Sequence, residues 1–136
     1  MMKALVVEDD FTSRRLLQNF LLKHGQCDAV PNGEEAVEEF RSALDEGEPY
    51  DLVCLDIVLP GINGLSVLKS IRRLEKESQV LDNEGTNVIM ITGLADEKSV
   101  IEAASWQCNA YLVKPIQGRT LNEFLQSFNL IDQDMP

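Results

Sequence analysis

Ala4-Leu5-Val6-Val7-Glu8-Asp9-Asp10 carries the strand signal on which the rest of the chain is built. Four apolar residues without alternation, cut off by three acids, read as a short strand buried on both faces. The pattern recurs along the chain. Leu52 to Leu55 stops at Asp56, Val88 to Ile91 stops at Thr92, and Ala110 to Val113 stops at Lys114-Pro115. Ala29 to Val30 reads as a weaker, shorter strand before the turn signal Pro31-Asn32-Gly33.

Amphipathic helices fill the intervals. The first carries Leu16, Leu17, Phe20 and Leu21 on one stripe, with Asp10 or Thr12 to cap it and Gly25 to stop it. The second, from about Glu34 to Asp45, turns Ala36, Val37, Phe40 and Leu44 inward. Pro60-Gly61 and Asn63-Gly64 bracket a tight loop before a third helix, with Leu65, Leu68, Ile71 and Leu74 on one face. The polar stretch Glu75 to Thr86 reads as a mobile loop or a helix extension. A fourth helix spans about Glu97 to Gln107 and a fifth Arg119 to Phe128, with Leu121, Phe124, Leu125 and Phe128 inward.

Five βα units in a row predict an α/β fold: a doubly wound, flavodoxin-like sheet of five parallel strands in the order 2-1-3-4-5, with five helices. That order sets Asp9 beside Asp56. It also brings Thr92 and Lys114 to the same carboxyl edge, where open α/β sheets bind ligands.

The 136 residues suit one domain, residues 1–136, with no output domain after the fifth helix. Twelve basic against 23 acidic residues give a net charge of −11, which argues against direct binding of nucleic acid or of an anionic membrane. No apolar run reaches transmembrane length and no secretory pattern opens the chain, so a cytoplasmic location is expected. Cys27, Cys54 and Cys108 form no CxxC pair and no disulfide framework. The single histidine, His24, reads as a solvated group near a helix end.

Glu8, Asp9 and Asp56 together concentrate negative charge that Lys114 offsets only in part. A hard divalent cation with oxygen ligands offsets the rest, so the pocket reads as a Mg²⁺ site with room for phosphate. Asp56, already ionised, suits nucleophilic attack on phosphorus to give an acyl phosphate. Lys114 and the Thr92 hydroxyl suit the equatorial phosphoryl oxygens. Asp10 reads as a helix cap, and Arg14 and Arg15 as solvated helix charges. The run Arg72 to Glu77 reads as a helix face with i,i+4 pairing.

Val6-Val7-Glu8-Asp9-Asp10, Leu55-Asp56-Ile57-Val58-Leu59-Pro60-Gly61 with Asn63-Gly64, Ile91-Thr92-Gly93 and Tyr111-Leu112-Val113-Lys114-Pro115 together resemble a response-regulator receiver domain of the CheY-like kind. The resemblance covers essentially the whole chain. It implies that Asp56 is the phospho-acceptor, that Asp9 ligates the metal directly with Glu8 beside it, often through water, and that the Val58 backbone carbonyl is the third protein ligand. The metal implied is Mg²⁺, or Mn²⁺ in its place. Thr92 matches the switch hydroxyl, Lys114 the phosphate-binding lysine and Tyr111 the aromatic that swings inward. The Lys114-Pro115 bond matches the family's cis peptide. Gln107 stands where glycine is common. Val58 and Leu94 are apolar, which implies slow self-dephosphorylation.

The resemblance further implies a two-component phospho-acceptor rather than an enzyme acting on a separate substrate. A sensor histidine kinase or a histidine phosphotransfer protein would donate the phosphoryl group. The face built from the fourth helix, fifth strand and fifth helix would then change affinity for a downstream protein. Two other readings compete. A hydrolase using the same acyl phosphate, like the haloacid-dehalogenase phosphatases, needs an aspartate two residues after the nucleophile, where this chain has Val58. A constitutive binding module would not need the complete set of acids, hydroxyl and lysine.

Overall fold

The computed structural model describes residues 1–81, 84–93 and 97–132. Strands and helices alternate as β1 (Met2–Val7), α1 (Phe11–Leu22), β2 (Gly25–Val30), α2 (Gly33–Asp45), β3 (Leu52–Asp56), α3 (Gly64–Glu77), β4 (Asn87–Thr92), α4 (Glu97–Ser105), β5 (Ala110–Val113) and α5 (Gly118–Ser127). The strands pair in parallel in the order β2-β1-β3-β4-β5, as the sequence predicts. Leu5, Val6, Leu52 to Leu55, Ile89 and Met90 are wholly buried, which is why these strands show no polar alternation.

Two cores flank the sheet. On one face Val6, Cys54, Ile91 and Leu112 pack with Leu17 and Leu21 of α1 and Leu121 and Leu125 of α5. On the other, Leu5, Val53, Leu55, Val88 and Met90 pack with Phe40 of α2, Leu68 and Ile71 of α3 and Ala103 of α4. Helix starts are capped locally. Asp10, Asn32 and Asn63 accept hydrogen bonds from the backbone N–H groups of Ser13, Glu35 and Ser66.

Three local expectations change. Gly25 does not stop α1; it opens β2, which is three times the predicted length. It is glycine because the strand passes so close to β1 that a Cβ would lie 2.0 Å from the Met2 carbonyl oxygen. Leu16, placed on the inward stripe of α1, is exposed.

The third change is larger. Helix α3 runs on to Glu77, the helix extension of the two readings for the start of that stretch, but Glu75 is buried rather than part of a solvated helix face. Arg72 and Glu75 pair at 2.7 Å, and both side chains are nearly enclosed. Arg72 also donates to the carbonyls of Thr86, Trp106 and Gln107 and to Asn109 Oδ1, while Glu75 Oε2 accepts the Thr86 N–H at 2.6 Å. The guanidinium therefore satisfies carbonyls at the end of α4 from a neighbouring helix. Gln107 takes a positive φ of 63°, the left-handed conformation that its glycine-like position demands. Trp106 is half-buried under the cations of Lys69 and Arg73. Asp82, Asn83, Leu94 and the terminal residues 133–136 lie outside the described residues.

Candidate phosphoryl and metal site

Hydrogen bonds just past the strands hold the site's backbone in register. Glu8 N donates to the Val30 carbonyl at 3.1 Å, Ile57 N to Ile91 at 2.9 Å and Lys114 N to Thr92 at 2.7 Å. The sheet thus stays paired up to its carboxyl edge, and Glu8, Asp56, Thr92 and Lys114 all stand on that edge. Strand alternation then sorts them. Glu8, Asp56 and Lys114 share the parity of Val6, Cys54 and Leu112, which face α1 and α5. Thr92 shares the parity of Val88 and Met90 on the opposite face. Tyr111 pairs with Met90 on the adjacent strand and packs against that same core.

The first group meets directly. Lys114 Nζ lies 2.8 Å from Asp56 Oδ2 and 3.1 and 3.2 Å from the two Glu8 oxygens. Glu8, Asp56 and Thr92 are buried, whereas Asp9 is exposed. Carboxylate oxygens of Glu8, Asp9 and Asp56 all lie within 4.8 Å of one another. Val58 N donates to Asp56 Oδ1 at 3.0 Å, which orients the carboxylate. The Lys114-Pro115 bond is cis.

One ammonium faces two buried carboxylates and a third nearby. Burial pushes the Glu8 carboxyl up, the hydrogen bond and charge of Asp56 push it further, and Lys114 offsets only part; the result is about 7. For Lys114, burial favours loss of the proton, but hydrogen bonds to Asp56 and Glu8 outweigh it and hold the ammonium above its ordinary value. The site is short of positive charge. Its donors are hard oxygens clustered at one point, and that donor set fits Mg²⁺.

Glu8, Asp9, Asp56, Val58, Thr92 and Lys114 stand at this edge, and Tyr111 stands on the strand leading to it. One contributor escaped notice. Arg14 is not a solvated helix charge; Nη1 donates to the Glu8 carbonyl at 2.9 Å and to the Asp9 carbonyl at 3.4 Å. It pins the acidic loop from the first turns of α1. The available signal was its placement six residues beyond Glu8, one helical turn after the Asp10 cap. Arg72 and Glu75, by contrast, lie away from this edge and anchor α4.

The chain has clear relatives among known proteins. The sequence profile of the response regulator receiver domain matches residues 4–126. Chemotaxis protein CheY-3 of Vibrio cholerae is 36% identical over 91% of this chain and 88% of its own length. Transcriptional regulatory protein ResD of Bacillus subtilis is 31% identical over 86% of this chain but only 43% of its own length. Among solved structures, the CheX-CheY-BeF3-Mg²⁺ complex from Borrelia burgdorferi superposes with a TM-score of 0.76 at 27% identity, covering 93% of this chain and 87% of that one. A receiver-domain profile that matches most of the chain, and a relative 36% identical over 91% of it, show that this chain belongs to the response regulator receiver domains of two-component signalling.

Proposed function

We propose that Asp56 is the phospho-acceptor of a Mg²⁺-dependent switch. The observation that carries this reading is the Lys114 ammonium bridging Asp56 and Glu8 inside a three-carboxylate cluster. An Asp56 carboxylate oxygen attacks phosphorus, the bond from phosphorus to the donor's histidine nitrogen breaks, and the imidazole leaves. The product is an acyl phosphate on Asp56. Lys114 then exchanges part of its contact with the carboxylates for a phosphoryl oxygen. Asp9, Asp56 and the Val58 carbonyl would hold Mg²⁺, with Glu8 acting through water. When bound, the ion supplies charge neutralisation at the phosphoryl oxygens.

The donor in this reading is a sensor histidine kinase or a histidine phosphotransfer protein in the cytoplasm. Thr92 and Tyr111 share one sheet face, next to α4, which supports their assignment as the switch pair. Ile101 of α4 and Val113 of β5 are exposed apolar groups, which supports the α4-β5-α5 face as the surface that meets a downstream protein. The apolar Val58 side chain leaves no polar group at that position to orient water, so the acyl phosphate should be long-lived.

Intact-protein mass after incubation with a small acyl phosphate, with and without Mg²⁺, tests the reading. Wild type should gain one phosphoryl group only with Mg²⁺, and Asp56→Asn should gain none. A folded, metal-binding wild type that gains nothing from the acyl phosphate and does not bind beryllofluoride would make the chain a constitutive binding module. Multiple turnover of the acyl phosphate at enzyme-like rates would favour the hydrolase.

A further inference from the structure

We propose that Glu34 is a positioning residue for the Mg²⁺ site: its carboxylate latches the loop that carries the Val58 carbonyl. The inference rests on the assignment of Val58 to that site made above.

The loop from Ile57 to Asn63 leaves the sheet at the Ile57–Ile91 hydrogen bond and re-enters regular structure at α3. Its ends are tied. Val58 N donates to Asp56 Oδ1, and Gly64 N donates to the Ile57 carbonyl at 2.8 Å. Between these ties the chain turns through Gly61, whose φ of 73° is left-handed.

Glu34 reaches this turn from α2, 28 residues away in sequence. Its Oε1 accepts the Ile62 N–H at 3.0 Å. Its carboxylate lies so close under Gly61 that a Cβ there would fall 2.7 and 2.8 Å from the two oxygens. Gly61 is glycine for its backbone angle, and the absence of a side chain there leaves room for the Glu34 carboxylate beneath it. Asn32 caps α2 through the Glu35 N–H, so Glu34 is not needed as the cap of its own helix. A charge-assisted bond to a loop amide is the stronger kind. It holds the backbone of the loop whose Val58 carbonyl, four residues earlier, would ligate the ion. Groups that orient metal ligands without touching the metal commonly change its affinity by about 10-fold or more when removed.

The test is Mg²⁺ affinity of the unphosphorylated protein, read from backbone amide shifts, on wild type, Glu34→Ala, Glu34→Gln and Asp9→Ala. Glu34 is exposed, so its substitution does not threaten the core. Amide exchange at Ile62 without metal serves as a second readout. Glu34→Ala should weaken Mg²⁺ about 10-fold and speed Ile62 exchange, and Glu34→Gln, which keeps an acceptor oxygen, should restore most of both. Wild-type Mg²⁺ affinity in Glu34→Ala, with Ile62 exchange accelerated, would overturn the proposal, because the latch would then be merely structural. If Asp9→Ala binds Mg²⁺ as wild type does, the site assignment itself falls and the proposal with it. If Asp9→Ala loses binding and only Glu34→Ala is unaffected, the site stands and the latch alone is rejected.

Discussion

Lys114 stands 2.8 Å from Asp56 across 58 residues of chain, and the same ammonium reaches both oxygens of Glu8. One cation thus holds two buried carboxylates that would otherwise repel each other. Its removal separates the electrostatic role from the phosphoryl role.

Lys114→Ala should destabilise the metal-free protein by about 2 kcal/mol at pH 7, since it leaves two carboxylates without their partner while solvent screens the part-exposed site. Saturating Mg²⁺ should recover most of that loss. Urea denaturation with EDTA and with Mg²⁺ measures both. Equal stability of variant and wild type in EDTA would contradict the ion-pair account.

Metal-free protein should lose stability as pH rises from about 4.5 to 7. The folded-state value of Glu8, about 7, lies above its unfolded value of 4.5. The folded state therefore binds the proton more tightly, and that contribution is present below pH 4.5 and lost as pH climbs through 7. Melting temperature across this range in EDTA checks it, with Glu8→Gln expected to flatten the slope. Mg²⁺ should reverse the trend, because the ion binds the ionised carboxylate.

Glu75→Ala should cost about 3 kcal/mol, well above an ordinary surface substitution, because it leaves a buried guanidinium without its counter-charge and the Thr86 N–H without an acceptor. Glu75→Gln, which keeps one acceptor, should cost less. Chemical denaturation of both variants decides between this account and a solvated helix face, for which both changes would be nearly neutral.

Gln107→Gly should stabilise the protein by about 0.5–1 kcal/mol, since glycine occupies the left-handed region without the Cβ penalty. The Gln107 carbonyl that accepts from Arg72 is backbone and survives the change. A lower melting temperature than wild type would show that the side chain compensates for its backbone conformation.

Strand runs, helix caps and the four strand-end residues were legible because each is a local signal. Ala4 to Val7 and Leu52 to Leu55 announce burial on both faces, and the turn after each fixes where its polar terminus falls. Asp10, Asn32 and Asn63 cap helices through bonds only three residues long. The right-handed crossover then leaves few strand orders, and the flavodoxin-like one among them sets Asp9 beside Asp56.

Charged groups whose partners are distant were not legible. Arg14, Glu34, Arg72 and Glu75 look like solvated helix residues, because helical periodicity assigns any charge off the apolar stripe to solvent. Gly25 looked like a helix stop for the same local reason. Short-range periodicity and chain connectivity thus carry the alternation of strands and helices, a short menu of strand orders and the chemistry at their carboxyl edge. Which charges are buried, and what they hold, follows from the packing of α2, α3 and α4 side by side on one face of the sheet: the Ile62 amide for Glu34 and the Asn109 side chain for Arg72 come from 28 and 37 residues away.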